Sequence, residues 1–448
     1  MRRYLTKQLV KWKESASRLP LLLCGARQTG KTYLVEDFGQ KYFDNIVIIN
    51  FELNPEYKLC FKTLQPAQIL LQLRALTHEP ITAGQTLLFL DEIQECPEAI
   101  QALRYFKEQI SDLHIIGAGS LLEFALKDGH FSMPVGRVEF LYLYPMNFIE
   151  FLYALGEDAI VEIIQQANFQ NGLPEAIHAR CLELLRWYAL VGGMPAVVNS
   201  YIKERDFERI QNLQINLLAT YRNDFGKYAS HIQQKYCQVI FNKMPNIFSK
   251  HCKYVDIDPT IESRYLKSAL SLMIQAGILT PVYQSLATGL PLNANINEKK
   301  FKLLFFDTGL MKAAGKLDSD LLLSENFMDI RTGALAEQLV GQQLLTYQPP
   351  YDHAEIFYWQ RDKKGSQAEV DYLVVHRDHI IPLEVKAGST GRLRSLHLFM
   401  EHCKSPYGIR LSTAPLKEEG KVLSIPIYML SEVYRLLAEL PKKSNDLK

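Results

Sequence analysis

One segment of eight residues constrains the fold of this 448-residue chain more than any other feature. It links the apolar run Leu21–Cys24 to a helical pattern that begins at Tyr33. A strand, a glycine-containing turn and a helix in this order direct backbone N–H groups inward, and the helix N-terminus adds positive potential. Such a loop surrounds phosphate groups, with its lysine on the terminal phosphates and its last hydroxyl on Mg²⁺. The segment consists of Gly25, Ala26, Arg27, Gln28, Thr29, Gly30, Lys31 and Thr32.

A second apolar run, Leu87–Leu90, ends in two carboxylates, Asp91 and Glu92. A buried strand that ends in this way downstream of a phosphate-binding loop places one acid near the metal and the other near the γ-phosphate. We therefore expect Thr32 and Asp91 to hold Mg²⁺ and Glu92 to polarise the water that attacks ATP. The sequence predicts an ATP-binding protein that hydrolyses ATP, with ATP and Mg²⁺ as its cofactors.

Two further residues are candidates for this site. Ser120 follows the apolar run that begins at His114, where a small polar residue can sense the γ-phosphate, although serine is also a common helix cap. Arg137 precedes the apolar run Val138–Leu143. An arginine there can neutralise charge on the transferred phosphoryl group, either in cis or across a subunit interface. A surface salt bridge is the alternative role for Arg137.

The bulk composition limits the partners. Apolar residues make up 48% of the chain, charged residues 22%, and the net charge is +1, so any contact with nucleic acid must be local. The seven cysteines are scattered and form no C-x-x-C pair, which favours reduced thiols and a cytoplasmic protein. No run approaches the roughly 20 apolar residues of a membrane helix, and we expect no membrane partner.

The order of sequence patterns predicts four regions. Short apolar runs alternate with helical patterns over residues 1–150, which is typical of a parallel sheet covered by helices. Helical patterns dominate residues 151–218, a predicted lid or linker. In residues 219–300 a helix stopped by Gly277 leads into the strand Ile278–Tyr283, as at the end of a winged helix. Residues 301–448 return to mixed α and β structure.

A hairpin is predicted near the end of the chain. Its strands, Val370–Val375 and Ile380–Lys386, are separated by a short polar turn. If the turn is centred between residues 377 and 378, Asp371 and Glu384 lie opposite each other, with Cβ atoms about 5 Å apart. Glu384 and Lys386 also project to one side of their strand, because side chains alternate with a period of two.

This hairpin therefore combines two carboxylates with one amine. The carboxylates of Asp371 and Glu384 can hold Mg²⁺ while Lys386 orients or deprotonates the water that attacks a phosphodiester. Glu337, in an apolar helical pattern, can add a third carboxylate, and Glu369 is an alternative to Asp371. Ordinary solvated salt bridges are the alternative for all of these groups. A basic aromatic stretch precedes the hairpin and suits either a nucleic-acid backbone or a solvated loop: Trp359, Gln360, Arg361, Lys363 and Lys364.

The chain resembles the bacterial and archaeal AAA-type ATPases that carry a C-terminal domain of unknown function. The resemblance covers nearly the whole chain and rests on the motifs Gly25–Thr32, Leu90–Gln94, Gly136-Arg137, Tyr144–Phe148, Gly192–Pro195 and Phe306–Leu310. It departs from the family at Gly117–Ser120, where the usual run is Thr-Gly-Ser-Ser. The hairpin, with Glu337, resembles the PD-(D/E)xK nuclease superfamily.

These resemblances imply an α/β chain with a P-loop NTPase parallel sheet, then a helical and winged-helix-like region, and a C-terminal restriction-nuclease-like domain. They imply that the nucleotide state of the ATPase controls a nuclease-like domain that acts on or binds DNA or RNA. The alternative is a STAND-like regulatory ATPase switch with a catalytically inactive C-terminal binding module. A homo-oligomer or a protein partner is compatible with both, whereas a role in transport has little support.

Overall fold

The computed structural model describes residues 1–127, 136–248, 250–316, 330–361, 368–386 and 393–440. The chain forms two compact units. The first comprises Met1–Pro145 together with two short segments from later in the chain, Gln275–Ile278 and Pro349–Ala354. The second comprises Met146–Ile274, Leu279–Gln348 and Glu355–Lys448.

The first unit contains a parallel five-stranded sheet, as the alternation of apolar runs and helical patterns predicts. Its strands are β1 (Leu21–Cys24), β2 (Asn45–Asn50), β3 (Thr86–Asp91), β4 (His114–Ala118) and β5 (Glu139–Tyr142). Their order in the sheet is β2-β3-β4-β1-β5, and all four neighbouring pairs are parallel. The carboxyl ends of all five strands therefore meet at one edge of the sheet.

Apolar clusters cover both faces of this sheet. Along β1, Leu21 and Leu23 belong to one cluster with Phe38, while Leu22 and Cys24 belong to the other. A strand buried on both faces needs a continuous apolar run rather than alternation, which is why the pattern predicts parallel strands. The helices of this unit are α1 (Leu5–Glu14), α2 (Lys31–Tyr42), α3 (Pro66–Thr77), α4 (Pro97–Gln109) and α5 (Leu122–Lys127).

The second unit contains twelve α-helices in the part of the chain that the structure describes. They are α6 (Phe148–Leu155), α7 (Asp158–Gln166), α8 (Glu175–Val191), α9 (Pro195–Glu204), α10 (Phe207–Asp224), α11 (His231–Ile247), α12 (Tyr254–Ile257), α13 (Ser263–Gln275), α14 (Thr308–Ala314), α15 (Ile330–Tyr347), α16 (Arg394–His402) and α17 (Val433–Glu439).

Two glycine-containing motifs of the sequence meet in this unit. The buried Asp307 carboxylate accepts hydrogen bonds from the backbone N–H groups of Gly193, at 2.6 Å, and Leu310, at 2.9 Å. A Cβ atom on Gly309 would lie 2.4 Å from the carbonyl oxygen of Val191. The glycines thus allow α8 and α14 to approach closely, and the aspartate satisfies the buried backbone groups that this approach creates.

A nine-stranded mixed sheet completes the second unit. Its strands are β6 (His251–Cys252), β7 (Leu279–Ser285), β8 (Ile296–Phe305), β9 (Ile356–Gln360), β10 (Glu369–His376), β11 (His379–Val385), β12 (Gly408–Ser412), β13 (Lys417–Glu419) and β14 (Val422–Pro426). The order is β13-β14-β12-β11-β10-β9-β7-β8-β6. The strand predicted after Gly277 is β7, which pairs in parallel with β9 of the predicted C-terminal domain. The predicted boundary at residue 300 therefore falls inside β8 and does not separate two sheets.

The predicted C-terminal hairpin is confirmed. Strands β10 and β11 are antiparallel, with Tyr372 opposite Leu383 and His376 opposite His379. The register continued by one residue places Asp371 opposite Glu384. The two-residue turn lies at the predicted position and contains Arg377 in the left-handed conformation that such turns require, at φ 56°.

All seven cysteines lie in described segments and are free thiols, six of them buried. In the part of the chain that the structure describes, no helix is both long enough and apolar enough to cross a membrane.

Candidate functional site

The phosphate-binding loop lies where the sequence predicts it, between β1 and α2. Gly25 has φ 143°, and a Cβ atom there would lie 2.2 Å from the carbonyl oxygen of Leu143, so only glycine fits at this crossing. Gly30 has φ 91°, a left-handed conformation, at the position that precedes α2. The two glycines therefore adopt the backbone conformations of the turn that connects β1 to the N-terminus of α2.

Lys31 is folded back onto its own loop. Its Nζ donates hydrogen bonds to the carbonyl oxygens of Gly25, at 2.8 Å, and Ala26, at 2.9 Å. Burial lowers the pKa of Lys31 to about 8, against the opposing effect of the Glu92 carboxylate. A buried ammonium bound to carbonyl oxygens is suited to exchange them for phosphate oxygens, because hydrogen bonds between charged groups are stronger.

Asp91 and Thr32 form the predicted pair. Thr32 Oγ1 donates to Asp91 Oδ2 at 3.1 Å, and Asn50 Nδ2 donates to the same oxygen at 3.1 Å. Burial, reinforced by the Glu92 charge, raises the pKa of Asp91, whereas these hydrogen bonds oppose the rise. Two oxygens in adjacent octahedral positions around Mg²⁺ lie about 3 Å apart, since each Mg–O distance is about 2.1 Å. The residues therefore fit Mg²⁺.

Glu92 follows β3 in the left-handed conformation, at φ 49°. A non-glycine residue there is unfavourable, and such residues cluster at functional sites. Gln94 Nε2 donates to Glu92 Oε2 at 2.6 Å and so fixes the carboxylate. A Cβ atom on Gly119 would lie 1.9 Å from Gln94 Oε1, so this glycine makes room for Gln94. Sequence reasoning assigned no role to Gln94 or Asn50, although Gln94 lies within the acidic motif.

Ser120 lies close to the phosphate-binding loop. Arg27 Nε donates to Ser120 Oγ at 3.1 Å, and Ser120 is buried. Its place after β4, at the carboxyl edge of the sheet, agrees with the predicted position. Its role as a γ-phosphate sensor stays a prediction.

In the second unit, a buried lysine is at the centre of the predicted carboxylate cluster. Lys302 Nζ lies 2.8 Å from Glu337 Oε1 and 2.5 Å from Glu369 Oε1, and the lysine side chain is only 4% exposed. Glu369 Oε2 also lies 2.6 Å from His251 Nε2. Burial alone would raise the pKa of Glu369, but His251 and Lys302 outweigh it and hold the pKa at about 2. Burial raises the pKa of Glu337, with Lys302 opposing the rise.

The hairpin residues lie beside this lysine-centred cluster. Asp371 Oδ2 accepts a hydrogen bond from the Val385 N–H at 2.8 Å, and burial raises the pKa of Asp371. Lys386 Nζ lies 2.5 Å from Glu384 Oε1. Among the described residues, the buried Glu384 Oε2 has no hydrogen-bond partner. Burial, reinforced by Asp371, raises the pKa of Glu384 to about 7 despite Lys386.

These residues do not fit a bound Mg²⁺ in this arrangement. Within the described ranges, no three His, Cys, Asp or Glu side chains form a group that could hold a metal ion. The predicted metal role of Glu337, Asp371 and Glu384 therefore stays a prediction that the arrangement does not favour. The basic aromatic stretch is also less open than expected, because Trp359 is buried against Phe399 at 5.2 Å between ring centroids. Lys363 and Lys364 lie outside the described residues.

Comparison with protein families finds three matching segments in the chain. Residues 17–152 match a family model described as an AAA domain. This part of the chain is therefore similar to AAA domains, and we call it the AAA domain. Residues 182–321 and 332–429 match two further models, each described as a domain of unknown function. No curated protein is significantly similar in sequence to the chain.

Several solved structures align with the chain over most of its length. The Walker-type ATPase PABY2304 of Pyrococcus abyssi is 15% identical, with 70% of this chain and 95% of that chain covered and a TM-score of 0.45. The ORC2 protein of Aeropyrum pernix is 13% identical, with 76% and 94% covered and a TM-score of 0.29. The STAND protein PH0952 of Pyrococcus horikoshii is 11% identical, with 76% and 48% covered and a TM-score of 0.27.

Arg137 lies at the wrong edge of the AAA domain for action in cis. Leu21 pairs with Glu139 and Cys24 with Tyr142 in parallel register, so Arg137 precedes β5 at the amino edge of the sheet. The phosphate-binding loop leaves from the carboxyl edge, about 16 Å further along at about 3.3 Å per residue. Arg137 Nε instead lies 3.3 Å from Glu108 Oε1, with the arginine side chain 48% exposed. The salt-bridge alternative is therefore observed, and a role across a subunit interface stays a prediction.

Arg3 is a part of the AAA domain's site that sequence reasoning missed. Its Nη1 donates to the carbonyl oxygen of Thr29 at 2.9 Å and its Nη2 to that of Tyr144 at 2.5 Å. The buried guanidinium thus links the phosphate-binding loop to the segment after β5. No local pattern marks this role, because both partners are backbone carbonyls that any residue supplies.

Proposed function

We propose that the AAA domain hydrolyses Mg-ATP and that its nucleotide state controls the second unit. The observation that carries this proposal is the pair of Thr32 Oγ1 and Asp91 Oδ2, 3.1 Å apart, at the N-terminus of α2. A hydroxyl and a carboxylate at this spacing beside a phosphate-binding lysine suit a nucleotide-bound Mg²⁺.

The residues of the site divide the chemistry among them. Lys31 exchanges the carbonyl oxygens of Gly25 and Ala26 for oxygens of the β- and γ-phosphates. Thr32 and Asp91 would hold Mg²⁺, which neutralises phosphate charge when bound. Glu92, fixed by Gln94, orients the attacking water and accepts its proton.

Metal removal tests the hydrolytic part of this proposal. We expect the purified chain to release phosphate from ATP in the presence of Mg²⁺ and to stop when excess EDTA is added, because Thr32 and Asp91 then lack the ion that they share with the phosphates. Release of phosphate is measured with a coupled colorimetric assay, and re-addition of Mg²⁺ should restore the rate. Hydrolysis that continues at the same rate in EDTA would contradict a Mg²⁺-dependent mechanism.

Two segments of the first unit support the control part of the proposal. Residues 275–278 and 349–354 pack with the AAA domain although they come from later in the chain. Gly277 packs against the phosphate-binding loop, and a Cβ atom on Gly277 would be 3.3 Å from the Ala26 nitrogen. The Tyr142 N–H donates to the Pro350 carbonyl oxygen at 2.9 Å. Residues 275–278 connect α13 to β7, and residues 349–354 connect α15 to β9, so a shift of the loop on phosphate binding has a covalent route to these elements.

Gly277→Ala should weaken ATP binding by about fivefold. The new Cβ atom presses on the backbone of Ala26, and a strain of about 1 kcal/mol in the loop corresponds to that change in affinity. Gly84→Ala is the matched control, because Gly84 has a similar φ of 82° but no atom within 4 Å of an added Cβ. Titration with a fluorescent ATP analogue measures the change in affinity, and thermal unfolding of both variants measures any general loss of stability. Equal ATP affinity in both variants would contradict coupling through Gly277.

The second unit is proposed to be a binding or regulatory module rather than a nuclease. A buried Lys302 ammonium between Glu337 and Glu369 favours this alternative, because PD-(D/E)xK-type chemistry needs those carboxylates for a divalent cation. The ATPase then acts as a STAND-like switch whose nucleotide state sets how the module binds a protein or nucleic-acid partner.

A further inference from the structure

We infer that Lys302 is the resident cation of the carboxylate cluster in the second unit and that its ammonium keeps divalent metal ions out. The cluster consists of Glu337, Glu369, Asp371 and Glu384. The inference goes beyond the proposed function, since ATP hydrolysis by the AAA domain does not involve these residues.

The position of Lys302 depends on strand pairing near the edge of the nine-stranded sheet. Strand β8 pairs with the two-residue strand β6, which places Lys302 opposite His251. The lysine chain runs beside Tyr358, with Nζ 5.2 Å from the centroid of its ring. Nζ ends between Glu337 on α15 and Glu369 on β10, so three separate elements converge on one ammonium.

The ammonium and a metal ion cannot share this position. Nζ lies 2.8 Å from Glu337 Oε1 and 2.5 Å from Glu369 Oε1. A Mg²⁺ or Mn²⁺ ion bound to the same two oxygens would lie about 2.1 Å from each, in the space that Nζ fills. A second cation placed there would also meet the lysine charge at close range in a buried environment, where repulsion is poorly screened.

The cluster contains more carboxylates than cations, so a metal ion could bind there if the lysine were neutral. Four carboxylates face two ammonium groups, Lys302 and Lys386, with His251 on Glu369. The Asp371 charge also interacts with Lys302. Glu384 Oε2 is buried, with the residue 6% exposed, and makes no hydrogen bond within the described part of the chain. Removing the lysine charge should thus leave Glu337 Oε1 and Glu369 Oε1 around a space of cation size, with the Asp371 charge acting on the same position.

Lys302→Met tests the inference, because methionine keeps the length of the chain without its charge. Binding of Mn²⁺ to the full chain is measured without nucleotide by the EPR signal of the free ion, so that binding does not depend on ATP. We expect Lys302→Met to bind one Mn²⁺ about tenfold or more tightly than the wild type, and Asp371→Asn in the same chain to remove that gain. Lys302→Arg, which retains the charge, should show no gain.

Two results would overturn the inference. One is a folded Lys302→Met variant that binds Mn²⁺ no better than the wild type. The other is a wild-type site that Asp371→Asn abolishes, which would show that the cluster holds metal with Lys302 in place. The comparison of wild type with Asp371→Asn also decides the question if Lys302→Met fails to fold, since equal Mn²⁺ binding by these two proteins supports exclusion of metal. Thermal unfolding gives a second readout, because Mn²⁺ should raise the Tm of Lys302→Met only.

Discussion

Lys31→Ala should abolish measurable ATP binding and, with it, hydrolysis. The variant loses an ammonium that is buried at the phosphate-binding loop and can bond two phosphates. Charge-assisted hydrogen bonds contribute about 1.5–3 kcal/mol each, so the loss of two raises the dissociation constant by about 100-fold or more. Titration with a fluorescent ATP analogue measures this change, and steady-state phosphate release measures its consequence.

Lys41→Ala is the matched control on the same helix. Lys41 Nζ lies 2.7 Å from Asp37 Oδ2 in an exposed pair one turn apart, with the lysine side chain 61% exposed. Loss of such a pair changes stability by less than about 1 kcal/mol and should leave ATP affinity within about twofold of the wild type. ATP binding by Lys31→Ala at wild-type affinity would contradict the assignment of the phosphate-binding loop.

The pH dependence of ATP binding gives the same lysine a second readout. Burial lowers the pKa of Lys31 to about 8, so the free protein loses this ammonium as the pH rises through that value. Binding to phosphate requires the protonated form, and the affinity should therefore fall above pH 8 by up to about tenfold per pH unit. Lys31→Arg keeps its charge over this range, and its affinity should stay flat. A flat profile in the wild type would argue against a role for the lysine proton.

The AAA domain was the part of the fold most open to prediction, because its signals are local. The loop from Gly25 to Thr32 includes the glycines that form its turn and the first residues of the following helix. Asp91 and Glu92 follow a run that is apolar throughout. The hairpin with Asp371 opposite Glu384 was predictable for the same reason, since a two-residue turn sets the register. For Arg137, the direction of the parallel strands, which the pattern already implied, disfavours only the role in cis, because it places a residue before β5 at the edge away from the loop.

Contacts between distant parts of the sequence account for what was missed. Strand β7 pairs with β9, which lies about 75 residues later in the chain. A local pattern therefore cannot show that the strand predicted after Gly277 belongs to the same sheet as the C-terminal hairpin. Lys302 lies in the run Lys299–Leu304, where a lysine between apolar residues usually points to solvent. Its burial depends on Glu337 and Glu369, which α15 and β10 bring to it. The metal hypothesis rests on the hairpin carboxylates, Lys386 and Glu337, and no local pattern adds Lys302 to them.

Glu92→Gln should leave ATP binding intact and lower the rate of hydrolysis by about 100-fold to 10,000-fold, the range typical of losing a general base. Glutamine has nearly the same shape, and its side-chain oxygen can still accept the hydrogen bond from Gln94 Nε2. It cannot accept a proton from water, so the chemical step slows while the phosphate contacts of Lys31 and Thr32 remain. Single-turnover hydrolysis and equilibrium binding of Mg-ATP, measured on one preparation, separate the two effects.

Glu95→Gln is the control for a lost negative charge nearby. Glu95 is 46% exposed and lies 3.3 Å from Lys58, so its neutralisation should change the hydrolysis rate by less than about twofold. If Glu92→Gln hydrolyses ATP at the wild-type rate, Glu92 is not the base. If it loses ATP binding as well, the carboxylate acts on the charges of Lys31 and Asp91 rather than on water. Retained binding with slow turnover assigns the proton transfer to Glu92. In that case the substitution weakens the transition state and leaves the bound ground state unchanged.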